Sequence, residues 1–129
     1  MPFGASTTTV TFFNAATLAD SPTEIGTATL SGAGVLLTHT LGMLGADITP
    51  SNAVALKAVL AEAITKADAA PAKGFVLDVV DVASDTDAER IEWLENSGKV
   101  QIHRTASTSL TMLLDTARGL AAALAILVP

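Results

Sequence analysis

Cysteine is absent from the 129-residue chain. That excludes a disulfide framework, a thiol nucleophile and a zinc–thiolate centre, and it leaves the cellular compartment open. Cations are scarce: Lys and Arg number 7 against 13 Asp and Glu, for a formal net charge of −6. Neutralising phosphates requires clustered cations, and none cluster here, so neither nucleic acid nor an anionic membrane surface is an expected partner.

Aromatic residues make up only 4% of the chain: Phe3, Phe12, Phe13, Phe75 and Trp93. Half the residues are apolar, but many of these are alanine, which buries little area, so Leu, Val and Ile must build the core. Long hydrophobic runs are missing as well. Gly119 to Val128 is apolar throughout but too short to span a bilayer, and extending it back to Ser109 takes in Asp115 and Arg118. The start, Met1 to Ser6, has neither the basic segment nor the apolar run of a signal peptide. The chain therefore reads as soluble, with a virion as one conceivable location.

The length suits one domain. Residues 1–6 read as a flexible arm and residues 7–129 as a single α+β domain. Thr7 to Phe13 is rich in β-branched and aromatic residues and predicts a strand. Asp20-Ser21-Pro22 marks a loop after it. Ile25 to Leu30 and Val35 to Leu41 read as strands of a hairpin turned by Ser31 to Gly34. Thr49-Pro50 is a plausible helix start, and Leu56, Leu60, Ala63, Ile64 and Ala67 recur on one face after it. Phe75 to Val82 is apolar on both faces, the pattern of an interior strand covered on two sides.

Thr86 to Glu89 has capping-box spacing, with Ala88, Ile91 and Leu94 as an apolar stripe and Gly98 as a stop. Val100 to Arg104 then returns as a strand. From about residue 108 a last helix carries Leu110, Leu113, Leu114, Ala117, Leu120, Leu124 and Leu127, and its final turns are apolar on every side. The expected architecture is one mixed or mostly antiparallel sheet of about five strands (7–13, 25–30, 35–41, 75–82, 99–105) with three helices (50–68, 86–97, 108–127).

Catalytic motifs are thin. Gly32-Ala33-Gly34 resembles the start of a dinucleotide loop, but Leu37 stands where the third glycine belongs, so a hairpin turn is the better reading. There is no Walker lysine and no Gly-x-Ser-x-Gly elbow. No cofactor is expected. Asp78, Asp81, Asp85, Asp87 and Glu89 are the densest carboxylates. Strand alternation puts Asp78 and Asp81 on opposite faces, and helix capping accounts for Asp85 to Glu89 without a metal.

Asp78 lies among valines, so if buried it needs a partner, with His103 or Arg104 as candidates for a structural polar pair. His39 sits on an apolar strand face and reads as a hydrogen-bonded packing histidine. The leading expectation is a non-enzymatic, self-assembling structural protein, such as a tailed-phage capsid decoration, head-completion or tail protein. It would act through homo-oligomeric contacts of Val10 and Phe12 with the face of Leu120, Leu124 and Leu127. The alternatives are an accessory protein- or ligand-binding module, and a small enzyme using Asp78 with His103 or Arg104.

Overall fold

The computed structural model describes residues 8–80, 89–104 and 108–129. Its elements are β1 (Thr9–Phe13), a 3-10 turn (Leu18–Asp20), β2 (Ile25–Ser31), β3 (Gly34–Leu41), β4 (Leu44–Gly45), α1 (Ala53–Ala69), β5 (Phe75–Val80), β6 (Glu89–Leu94), β7 (Lys99–His103), β8 (Ser109–Leu113) and α2 (Leu114–Leu127). The fold is α+β, with two sheets: β1-β2-β3, and β4-β8-β7-β6-β5. Every strand pair is antiparallel.

The first sheet follows its local signals. Gly32, with φ of 60°, supplies the left-handed residue of the β2–β3 turn. One face of this sheet is a threonine array. Thr11, Thr27 and Thr38 stand side by side across the three strands, with the Thr27 and Thr38 hydroxyls hydrogen-bonded. Thr9 and Thr29 pair at 2.8 Å. The other face presents Phe12, Ala28, Val35 and Leu37 to the core.

Helix α1 begins later than Thr49. Asn52 is its N-cap, and the Asn52 side chain accepts from the Ala55 amide at 3.0 Å. Residues 48–50 run beside β3 instead, where Ile48 exchanges backbone hydrogen bonds with Leu37 and the Pro50 carbonyl accepts from Val35. Buried Leu56, Leu60, Ala63 and Ala67 lay this helix on β5 and β6. Each leucine contributes about 1.5–3 kcal/mol by leaving water.

Two of the three expected helices are revised. The segment expected as helix 86–97 is strand β6 from Glu89 onwards, and residues 81–88, with the capping-box start, lie outside the described residues. In Glu89–Leu94 the residues alternate: Ile91 and Trp93 are buried while Arg90, Glu92 and Leu94 are half-buried on the other face. Gly98, expected to stop a helix, turns the β6–β7 hairpin with φ of 72°, alongside Asn96 at 57°. The helix expected over 108–127 is split, because Ser109–Leu113 is strand β8 and the helix starts at Leu114.

Strand β5 is also revised. It is the end strand of its sheet rather than an interior one, and Val76 is 52% exposed. It pairs with β6, so β6 separates it from β7. Helix α2 fills the middle of the molecule, packing on β1 and β2 of the first sheet, β7 and β8 of the second, and α1. Leu120 and Leu124 are fully buried there. Arg118 clamps the helices together with a bidentate pair to Asp68, and Lys57 Nζ reaches the Val128 carbonyl at 2.6 Å.

Candidate functional site

The buried carboxylates serve the backbone. Glu89 is 3% exposed; its two carboxylate oxygens accept the Ser51 amide at 2.9 Å and the Ser51 hydroxyl at 2.5 Å. Arg104 Nη1 lies 3.3 Å from the same carboxylate, and its Nε donates to the Thr49 carbonyl at 2.9 Å. Glu24, 7% exposed, accepts the Leu113 amide at 2.8 Å and the Thr116 hydroxyl at the start of α2. Each helix thus begins beside a glutamate from a distant segment, where the helix N-terminus favours negative charge. Sequence reasoning passed over Glu24, and it assigned Glu89 to a helix that does not form.

Asp78 is exposed on β5, across from Arg90, so the proposed buried pair with His103 or Arg104 is not formed. The acids facing those two residues come from β6: Glu89 for Arg104, and Glu92, 3.4 Å from His103 Nε2. His103 is buried on the open face of the second sheet, and apart from that Glu92 contact neither ring nitrogen has a hydrogen-bond partner among the described residues. Burial first, and then the Arg90 charge, lower its pKa from the ordinary 6.5, with Glu92 pulling the other way. His39 Nε2 donates to the Gly45 carbonyl at 3.2 Å, a packing role. Asp81, Asp85 and Asp87 lie outside the described residues. Among the described residues no three His, Asp or Glu side chains converge as metal ligands.

The residues named for self-association separate into two groups. Phe12, Leu120, Leu124 and Leu127 are buried inside this chain, at 8% exposure or less, and form its core. This corrects their assignment to a subunit contact: two sheets and α1 together enclose a helix that the chain had seemed too small to cover. Val10 is half-buried on β1, the end strand of the first sheet.

That edge is the feature with interaction chemistry. β1 has no charged residue, no proline and no break in its register with β2. Its outer backbone groups have no strand partner among the described residues. Beside it runs a shallow apolar groove of about 190 Å³, floored by Gly119, Ala122 and Ala123 of α2 and bounded by Val10, Phe12 and Ile126. Ile126 is 64% exposed. The other end strands differ in ways that discourage pairing: residues 48–50 run beside β3, β4 is only Leu44–Gly45, and β5 carries Asp78 and a register shift between Asp78 and Val80. Among the described residues no helix is long and apolar enough to cross a membrane.

No protein-family model matches the chain, and comparisons with curated proteins and with solved structures find no match either.

Proposed function

We propose that this protein is a non-enzymatic structural subunit that works by associating with copies of itself, a small virion component such as a capsid decoration, head-completion or tail protein being the concrete role. The observation that carries this reading is the uncharged, unbroken edge of β1 lying over an apolar groove on α2. Soluble proteins ordinarily blunt such an edge with lysine, proline or a bulge, because its free amides and carbonyls are a template for another strand. The buried acids support the same reading, since Glu89 and Glu24 spend their oxygens on holding the starts of α1 and α2.

Size-exclusion chromatography with light scattering at low micromolar concentration tests it. A stable oligomer is expected, and a well-folded monomer at every accessible concentration overturns it. A second reading, an accessory module that captures an extended peptide on β1, draws on the same edge and is distinguished by that monomeric outcome together with peptide binding.

A further inference from the structure

We infer that β1 pairs antiparallel with β1 of a second copy about a two-fold axis at Thr11, joining two three-stranded sheets into one of six strands. This rests on the self-association proposed above and specifies its geometry. Side chains directly opposite in an antiparallel ladder lie on the same face of the sheet, so each candidate register can be checked row by row. With the axis at Thr11, Thr11 faces Thr11, Val10 faces Phe12, and Thr9 faces Phe13.

The central row and the apolar row are then matched in kind, while the outer row sets Thr9 against Phe13. The Thr38, Thr27 and Thr11 row of one copy continues into the same row of the other, extending a threonine ladder across the axis. Val10 and Phe12, which point toward the helix side, extend the apolar layer beneath the sheet. No like charges oppose each other, because β1 carries none.

The groove beneath supports the same axis. Phe13 lies over Gly119, whose missing side chain leaves room for the Phe13 carbonyl, while Val10 shares the groove with Ile126, so α2 runs opposite to β1. A two-fold axis at Thr11 therefore sets the two α2 helices antiparallel across the groove. Ile126 and Ala122, both exposed in the single chain, cover each other's small-residue floor.

The absence of cysteine makes the test clean, since a single introduced thiol is the only one present. Residues directly opposite in a ladder have Cα atoms about 4.5–5.5 Å apart, within disulfide reach. Thr11→Cys is expected to give a covalent dimer rapidly under mild oxidation, while Val76→Cys on the competing edge β5 stays monomeric on a denaturing gel. Thr11→Lys, at an exposed position, should keep the circular dichroism spectrum and shift the light-scattering mass to that of one chain. If the wild-type protein is an oligomer but Thr11→Cys links no faster than Val76→Cys and Thr11→Lys leaves the mass unchanged, this geometry is overturned while self-association stands. A monomeric wild type overturns both.

Discussion

Glu89 and Ser51, 38 residues apart in sequence, are joined by two hydrogen bonds that lock the entry of α1 to the first residue of β6. The carboxylate also faces Arg104, so three segments meet on one buried side chain. A carboxylate accepts from several donors at once, whereas an amide must present its NH₂ to one of them.

Glu89→Gln is therefore expected to destabilise the fold by about 2–3 kcal/mol, because a buried donor and the Arg104 charge lose their acceptor. Ser51→Ala should cost less, about 1 kcal/mol, since the amide contact survives. Urea denaturation followed by circular dichroism measures both, and equal losses for the two variants would contradict this ordering.

Gly119 sits inside a helix, where alanine is ordinarily better by about 1 kcal/mol. Here a Cβ would lie 2.6 Å from the Phe13 carbonyl oxygen, which is backbone and has little room to yield. Gly119→Ala should lower stability by about 1–3 kcal/mol despite the gain in helix propensity. Thermal melting decides it: an unchanged or raised Tm means that β1 and α2 are not this close.

Leu124 is fully buried, whereas Ile126, two residues on, is 64% exposed. Leu124→Asp places an unpaired carboxylate in the core and is expected to abolish folding, a loss of more than about 4 kcal/mol. Ile126→Asp should leave the chain folded and weaken self-association. A folded, dissociated Leu124→Asp variant would put that leucine at a subunit contact instead.

Stability should fall on mild acidification. Burial, reinforced by Arg90, lowers the His103 pKa, so the unfolded chain takes up a proton more readily than the folded one. The contribution is full above the ordinary value of 6.5 and is lost as the pH falls below it toward the lower folded value. Asp68 behaves alike in a lower window: its hydrogen bond to Arg118 depresses its pKa, and that contribution is present above 3.8 and fades below it. Urea midpoints measured from pH 8 to 5 should decline for the wild type and flatten for His103→Gln. A decline of the same slope in that variant assigns the effect elsewhere.

Several elements were readable because a local signal was unopposed. The β-branched run in β1, the glycine turn of the β2–β3 hairpin and the leucine spacing of α1 each matched a single period. Glu89–Leu94 did not. Ala88, Ile91 and Leu94 fit a helical stripe as well as Glu89, Ile91 and Trp93 fit a strand, and pairing with β5 on one side and β7 on the other selects the strand. Leu110 and Leu113 likewise extend the stripe of Leu114 and Ala117 upstream of α2. The ladder with β7 claims Ser109–Leu113 nevertheless.

The residues of the candidate site divide along the same line. An uncharged β1 and an α2 whose final turns are apolar on every side are facts of composition, visible without coordinates. That α2 is enclosed by its own chain, leaving Val10 and Ile126 outside, depends on how two sheets and a helix close around it. The partners of Glu24, Glu89 and His103 are similarly non-local, at separations that no periodicity encodes. Short-range spacing settles which side chains share a face, because backbone geometry is local. Which face is covered, and which edge stays open, follows from long-range packing, where burying area and satisfying backbone groups outweigh propensities worth a fraction of a kcal/mol per residue.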